Sequence, residues 1–187
     1  MNALWYGDLG LGQALYAGGF FPSAGGISAN NIAKWDIASQ NWIALGSGLD
    51  VLAFTSVNLE AIIGFNGELY AGGRFAFPGV GNTPVAVWDG VQWSDASAGL
   101  DPADAIFDFC IYDSGNGAEL YAAGVFLDPA PESSQYCLAK WTGTSWMHLG
   151  AILPADEAHR LTVFEGNLIV GGEFESVDGI TANGIAS

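Results

Sequence analysis

Short apolar runs separated by turn residues recur along the whole chain. Residues 61–65 and 106–111 are nearly continuous hydrophobic stretches, and such runs are typical of strands that are buried on both faces. In the second quarter of the chain the pattern predicts strands at 60–65, 68–75, 84–88 and 91–96. No stretch has a helical period, and the 27 glycines break any helix longer than a turn or two. The pattern therefore predicts an all-β protein.

Turn residues lie between the predicted strands. Asn66-Gly67 predicts a type I′ hairpin, because both residues tolerate the positive φ angles of that turn. Asp89-Gly90 predicts a second turn of this type, and residues 142–144 (Thr-Gly-Thr) predict a looser one.

One short phrase, Leu-Tyr-Ala-Gly-Gly in its first two copies, occurs four times with small changes. The copies occupy 15–19, 69–73, 120–124 and 168–172. A Phe follows each copy, and the first three also carry an Ala-x-Trp step and a second Trp. A period near 50 residues with a paired glycine indicates one supersecondary unit that is repeated. The small residues are expected to let backbones approach closely where the units meet.

Units of four short strands, buried on both faces and repeated, are the pattern of propeller blades. We predict an all-β fold: a β-propeller of four-stranded antiparallel blades, about four in number, the last incomplete. Residues 1–187 are predicted to form a single repeat array. Its blades are predicted at about 1–50, 51–101, 102–154 and 155–187, the last one truncated.

The fourth copy has no second-Trp segment, and no signal-peptide pattern precedes the first strand. We expect either a fragment or a subunit that finishes its last blade elsewhere. Two architectures stay open: a small closed ring, and an open arc that needs further blades.

The order of apolar strand, Leu-Tyr-x-Gly-Gly, Trp-Asp and second Trp resembles kelch-like repeats of the galactose-oxidase-type β-propellers. Residues 23–36 resemble the linker of the variant found in large secreted bacterial repeat proteins, and 176–186 repeat most of that linker. The resemblance covers essentially the whole chain. It implies a propeller fold and an extracellular or cell-surface location, and it leaves the function open because propellers host binding, scaffolding and catalysis alike.

The charge balance excludes several partners. The chain has 20 acidic and only four basic residues, giving a net charge of −16. Without a basic patch we expect no nucleic-acid binding, and without 18 consecutive apolar residues no membrane insertion. Protein or glycan partners stay open, as do a homo-oligomer and further propeller blades. The simpler interpretation is a solvated acidic surface that keeps an apolar chain soluble.

The two cysteines are predicted to be free, buried thiols. The repeat alignment puts Cys110 in the first strand of the third unit and Cys137 in the third strand, which separates their backbones by about 9–10 Å. A disulfide needs Cα atoms within roughly 7 Å. A bond through distortion of the loop 127–136 is the alternative.

Asp8 and Asp113 are the candidate metal ligands. Each begins an Asp-x-Gly-x-Gly segment between the first and second strands of its unit, where a carboxylate and bent backbone could start a calcium site. Each loop has one acidic side chain, so the alternative is a turn in which Asp bonds its own backbone. No other cofactor is predicted.

The tryptophans and histidines are the remaining chemical candidates. Trp42, Trp93 and Trp146 could stack on sugars, but a residue that recurs in every unit indicates packing, whereas functional residues should differ between copies. A metal role is not predicted for His148 or His159. A polar cluster is formed by Asp156, Glu157 and His159, with a solvated loop as its alternative.

Binding loops are predicted where the linker pattern is broken. Phe77 and Asn82 lie in the irregular segment 76–83, and Asp128 and Glu132 lie in 127–135. Propeller function usually sits on such loops, although unconstrained loops diverge in the same way.

No catalytic motif is present, so no catalytic residue is predicted. The leading hypothesis is a non-enzymatic extracellular binding or scaffold module. The alternatives are a self-assembling structural subunit that completes its propeller or sheet edges in trans, and a carbohydrate-active enzyme domain. Whether the protein is an enzyme is left open by the sequence, which favours the non-enzymatic interpretation.

Overall fold

The computed structural model describes residues 1–49, 58–77, 81–127, 135–152 and 156–187. Within these ranges every regular element is a β-strand, and none is a helix. The prediction of an all-β protein is therefore confirmed.

The first two sheets each have four antiparallel strands. The first sheet has the order β1-β2-β5-β6, and its strands are β1 (Ala3–Asp8), β2 (Gln13–Gly18), β5 (Ile32–Asp36) and β6 (Asn41–Ala44). A small hairpin, β3 (Ser23–Ala24) and β4 (Ile27–Ser28), lies between β2 and β5 in the chain. The second sheet is formed by β7 (Asn58–Phe65), β8 (Glu68–Phe77), β9 (Gly81–Trp88) and β10 (Trp93–Asp95), paired in chain order.

The other two sheets repeat this plan. The third consists of β11 (Ala105–Asp113), β12 (Ala118–Leu127), β13 (Gln135–Trp141) and β14 (Trp146–Ile152), paired in chain order. In the described residues the fourth sheet has three strands, β15 (Glu157–Phe164), β16 (Asn167–Glu173) and β19 (Ile185–Ala186). A second small hairpin, β17 (Ser176–Val177) and β18 (Ile180–Thr181), connects β16 to β19.

Four small antiparallel sheets of this kind are the blades of a β-propeller, so the predicted fold class is confirmed. The chain divides into two compact units, Met1–Ala96 and Ser97–Ser187. The first unit holds the first and second sheets, and the second unit holds the third and fourth. The single repeat array and its blade boundaries stay a prediction.

Most strands and turns of the second sheet agree with the sequence pattern. Asn66 and Gly67 both have positive φ angles, 52° and 83°, as a type I′ turn requires. The type I′ prediction is wrong for Asp89-Gly90, because only Gly90 has a positive φ. There a four-residue loop separates β9 from β10, and the Asp89 carboxylate accepts hydrogen bonds from the amides of Val91 and Gln92 at 2.7 and 2.8 Å.

Each unit has its own hydrophobic core between its two sheets. Tyr16, Ile32 and Leu59 are buried together in the first unit, and Tyr121 and Leu161 in the second. The expected burial on both faces is wrong for some first strands. In β1, Leu4 and Tyr6 are 54% and 61% exposed, and in β15 Phe164 is 63% exposed.

Candidate functional site at the bulged first strands

Three of the four sheets share an irregularity in the first strand. In β7, β11 and β15 the register with the next strand shifts by one residue, and the residue left without a partner in that pairing is Glu60, Phe107 or His159, respectively. A β-bulge bends its strand and redirects a side chain. The pairs between β1 and β2 run from Ala3 to Asp8 without a register shift. One backbone feature therefore presents a different side chain in each of three sheets.

The second glycine of the repeated pair lies opposite the bulge. A Cβ atom at Gly124 would overlap the carbonyl oxygen of Ala105, and one at Gly172 would overlap that of Glu157. Both carbonyls belong to the first strand of the same sheet, so this glycine serves close approach within a sheet rather than between sheets. By contrast, a Cβ at Gly18, a first glycine, would meet Leu59 of the neighbouring sheet.

In the second unit the bulged residues of two neighbouring strands meet. The rings of Phe107 and His159 lie 5.4 Å apart between centroids, at an interplanar angle of 38°. Both side chains are half-buried. Charged residues of β11, β15 and β16 surround the two rings. We call the following six residues the bulge cluster: Phe107, Asp108, Glu157, His159, Arg160 and Glu173.

Two carboxylates of the bulge cluster face each other across adjacent strands. Glu157 of β15 is paired directly with Glu173 of β16, and like charges in directly opposed positions repel. His159 Nε2 lies 3.8 Å from Glu157 Oε2 and 3.9 Å from Glu173 Oε1. The carboxylates of Glu157 and Glu173 can therefore bind a positively charged group. The imidazole of His159 is such a group only when it is protonated.

Arg160 holds the backbone of the two bulges together. Its Nη1 donates to the carbonyl oxygens of Phe107 at 3.1 Å and His159 at 2.7 Å. The guanidinium thus bridges β11 and β15 at the backbone of the two residues that carry the rings.

Asp108 links the same two strands through its carboxylate. Oδ2 accepts a hydrogen bond from the amide of Leu161 at 2.9 Å, and Oδ1 accepts one from the amide of Phe109 at 3.0 Å. Burial raises the pKa of Asp108, although both amides and the Arg160 charge act in the opposite direction. Asp108 and Arg160 therefore position the bulges, while the side chains of His159, Glu157 and Glu173 are 37%, 44% and 86% exposed.

The two candidate calcium loops adopt one conformation. Asp8 Oδ1 accepts hydrogen bonds from the amides of Gly10 and Gly12 at 2.7 and 2.9 Å. Asp113 Oδ1 likewise accepts hydrogen bonds from the amides of Gly115 and Gly117 at 2.7 and 2.9 Å. These contacts match the turn in which Asp bonds its own backbone. Calcium binding at Asp8 and Asp113 stays a prediction.

The predicted binding-loop residues are placed only in part. Phe77 ends β8 and Asn82 lies in β9, where it is exposed. The segment 76–83 is therefore mostly strand, because Ala76 pairs with Asn82. Asp128 and Glu132 lie outside the described residues. A binding role for these four residues stays a prediction.

Trp93 and Trp146 each contact the loop that precedes the first strand of their own sheet, at Leu45 and Ala98. Trp93 is 9% exposed, and its Nε1 donates to the carbonyl of Leu45 at 2.9 Å. Trp146 is 4% exposed, and its amide donates to the carbonyl of Ala98 at 2.7 Å. Trp88 and Trp93 also line a cleft of about 280 Å³ beside residues 46–48. In both units the second Trp is buried and packs on the first Trp of its sheet, which favours the packing interpretation over a sugar platform.

The two histidines have different surroundings. His148 packs against the rings of Phe126 and Tyr136, at centroid distances of 5.7 and 5.1 Å, whereas His159 belongs to the bulge cluster. Among the described residues, no group of three His, Cys, Asp or Glu side chains is arranged to hold a metal ion.

Both cysteines carry free thiols, as predicted. β12 lies between the strands of Cys110 and Cys137. Burial raises the pKa of Cys137 to about 11, and its Sγ donates to the carbonyl of Gly150 at 3.2 Å. Cys110 is only half-buried, so the expectation of two buried thiols is correct for Cys137 alone.

Sequence reasoning found part of the bulge cluster. The sequence predicts a polar cluster that includes Glu157 and His159, whereas it predicts an ordinary apolar strand for Phe107 and Asp108. A usable signal was present in that run: Asp108 is the one charged residue within 106–111, and a carboxylate inside an apolar strand needs hydrogen-bond donors.

The fold and the bulged strands define the chain as a β-propeller protein. No protein-family model matches its sequence, and a comparison with curated proteins gives no match. The described residues contain no helix of the length and apolarity that crossing a membrane requires.

Proposed function

We propose that this protein is a non-enzymatic, extracellular binding module and that the bulge cluster is part of its contact surface. One contrast within the repeat carries the proposal. The bulge recurs in β7, β11 and β15, but the bulged residue is Glu60, Phe107 or His159. A fixed backbone feature with a side chain that changes between copies is what we expect of a surface that contacts a partner.

The partner in this proposal is a protein with positively charged contact residues. A lysine or arginine side chain can pair with the opposed carboxylates of Glu157 and Glu173 and also lie on the ring of Phe107. The net charge of −16 favours the approach of a basic partner over that of an acidic one.

The chemistry of the bulge cluster favours binding over catalysis. None of its six residues has a hydroxyl or thiol nucleophile. The side chain of Glu173 is 86% exposed, so this carboxylate lies open to solvent rather than inside an enclosed pocket.

The proposal includes a kelch-like repeat type and a location outside the cell or at its surface. Support comes from the order of the repeated phrase and the two tryptophan steps, and from the linker 23–36 with its second copy at 176–186.

The test is a binding screen that compares three forms of the protein. Wild type, the double variant Phe107→Ala/His159→Ala and the control Phe164→Ala are applied to arrays of basic peptides, acidic peptides and glycans. Phe164 is an exposed aromatic residue of β15, the strand that carries His159. We expect wild type and Phe164→Ala to bind basic peptides and the double variant to bind them about tenfold more weakly or worse.

Three results would contradict the proposal. One is the same peptide binding by all three forms, and another is a preference for glycans or acidic peptides. The third is measurable turnover of an arrayed compound that is lost on changing Glu157 or His159, which would make the protein an enzyme.

A further inference from the structure

The imidazole of His159 lies where a bound cation would lie in the bulge cluster. Its Nε2 is 3.8 Å from Glu157 Oε2 and 3.9 Å from Glu173 Oε1. Charge-assisted hydrogen bonds are shorter, about 2.7–2.9 Å, so at these separations the ring is next to both carboxylates without a hydrogen bond to either. Histidine is the side-chain type whose charge ordinarily changes between pH 5 and 8. A proton on Nε2 would therefore create a cation between two carboxylates.

The other charged and titratable groups of β11 and β15 around His159 are held by the backbone. The carboxylate of Asp108 accepts hydrogen bonds from two backbone amides, at 2.9 and 3.0 Å. The guanidinium of Arg160 donates to the carbonyls of the two bulged residues. Further along β11, the thiol of Cys110 and the hydroxyl of Tyr112 donate to backbone carbonyls.

The groups on the remaining neighbouring segments are also paired elsewhere. Glu119 of β12 lies 2.9 Å from the ammonium of Lys140 on β13 and accepts from the hydroxyl of Tyr121 at 3.0 Å. The thiol of Cys137 on β13 donates to a carbonyl of β14. Asp156, which precedes β15, accepts from a backbone amide beyond β16 at 3.4 Å. The opposed glutamates are therefore the partners that a protonated imidazole would take.

We infer that His159 makes partner binding at the bulge cluster dependent on pH. When protonated, its imidazole pairs with Glu157 and Glu173 and occupies the place of the partner's lysine or arginine; when neutral, it leaves both carboxylates to the partner. This inference rests on the proposed function, because it concerns the regulation of the same site.

The two protonation states also differ in the charge that a partner meets. With a neutral imidazole the bulge cluster contains three carboxylates and one guanidinium. With a protonated imidazole a second cation lies against the ring of Phe107, whose centroid is 5.4 Å from that of His159, where it gains from the face of the aromatic ring. A basic partner therefore has the higher affinity for the neutral state and shifts the protein toward it. Binding should release protons and should weaken as pH falls.

The experiment is isothermal titration calorimetry of the whole protein with an acetylated and amidated peptide of alternating arginine and glycine. The charge of this peptide is constant, because guanidinium groups stay protonated in proteins. We expect wild type to bind the peptide about tenfold more weakly at about pH 5.5 than at about pH 7.5. At an intermediate pH, binding should release protons, which is measured as a heat that depends on the ionisation enthalpy of the buffer.

His159→Gln replaces the imidazole by an amide that never becomes a cation. The readout is the ratio of its affinities at the two pH values, which should be close to one, and its binding should release no protons. His148→Gln removes the other histidine of the chain, and Asp108→Asn removes the carboxylate whose pKa burial raises. Both controls should keep the wild-type ratio. Circular dichroism at both pH values establishes that each form is folded.

Equal affinities of wild type at the two pH values, or tighter binding at the lower one, would overturn the inference and leave the proposed binding function in place. A wild-type ratio in His159→Gln would assign the pH dependence to another group and would overturn the inference as well. If that variant binds too weakly for a ratio, the proton release by wild type decides. If His148→Gln does not fold, Asp108→Asn is the control. No binding by wild type at either pH would contradict the proposed function itself, and the inference with it.

Discussion

The tryptophan hairpins and the bulged first strands are both repeated, but the hairpins repeat their side chains and the bulges repeat only their backbone. At the hairpins β9–β10 and β13–β14 the residues and their contacts recur together: Trp88 packs on Trp93 at 5.5 Å, and Trp141 packs on Trp146 at 5.4 Å. At the bulges only the backbone recurs.

The difference separates packing from recognition. A side chain that recurs between copies and is buried against a neighbouring segment, as Trp93 and Trp146 are, contributes to stability. A side chain that changes at a fixed, half-exposed position is free to contact something else. Substitutions of the buried hairpin tryptophans should therefore destabilise the protein strongly, and substitutions of bulged side chains should not.

The largest effect is expected at the tryptophans. Trp146→Ala removes a buried ring and should lower the free energy of unfolding by about 3–5 kcal/mol. Denaturation in urea, followed by circular dichroism, measures the change. Val91→Ala, at a residue that is 81% exposed in the loop between β9 and β10, is the control and should change stability by less than about 0.5 kcal/mol. A loss below about 1 kcal/mol for Trp146→Ala would contradict the packing role.

The backbone of the bulge should be the next most sensitive feature. Gly172→Ala places a methyl group against the carbonyl of Glu157 and should cost about 1–3 kcal/mol. The matched control is Gly171→Ala, because a Cβ at Gly171 has only the carbonyl oxygen of Gly184 near it, at 3.9 Å. Equal unfolding midpoints for the two variants would show that the close approach does not explain the second glycine.

Asp108 gives a smaller effect whose pH dependence has a defined sign. Asp108→Asn leaves one of two amides without an acceptor and should cost about 1 kcal/mol. Burial raises the pKa of Asp108 above its ordinary value of 3.8, so the folded protein binds a proton more readily than the unfolded chain. Wild type therefore gains stability relative to the variant as pH falls through the raised pKa. Urea denaturation at about pH 4 and pH 7 should show the larger mutational cost at the lower pH.

The tryptophan hairpin supplies a control of opposite sign. Hydrogen bonds from the amides of Gln92 and Val91 lower the pKa of Asp89. The stability that Asp89 contributes is present above its ordinary pKa and is lost as pH falls through the lowered value. Asp89→Asn should therefore cost less at about pH 2 than at pH 7, because the contribution is lost only below the ordinary value of 3.8. The same trend in both variants would contradict the assigned environments.

The sequence predicted the features that have a compositional signal. Apolar runs separated by turn residues identified the strands. Asn66-Gly67 identified a type I′ hairpin, because few residue pairs tolerate two positive φ angles. The sequence shows the paired glycine but not its contact, because the carbonyl groups close to Gly124 and Gly172 belong to the preceding strand.

The bulges themselves could not be read from the sequence. A bulge adds one residue to one strand and leaves no preferred residue type there, as Glu60, Phe107 and His159 illustrate. The meeting of Phe107 with His159 depends on how the third and fourth sheets pack, which no local pattern encodes. The glycine that ends the repeated phrase lies opposite all three bulges, as Gly73, Gly124 and Gly172, and is the trace that a sequence analysis could use.

The smallest effect is expected for the bulged side chains, and it is the sharpest test of the comparison. Glu60→Ala and His159→Ala should each change the free energy of unfolding by no more than about 0.5 kcal/mol, because both residues are partly exposed and the bulge does not depend on their side chains. Urea denaturation measures both. If His159→Ala destabilised the protein as much as Gly172→Ala, the imidazole would be part of what holds the bulge in place. Its difference from Glu60 and Phe107 would then reflect local packing, and the case for a contact surface would have to rest on the binding screen alone.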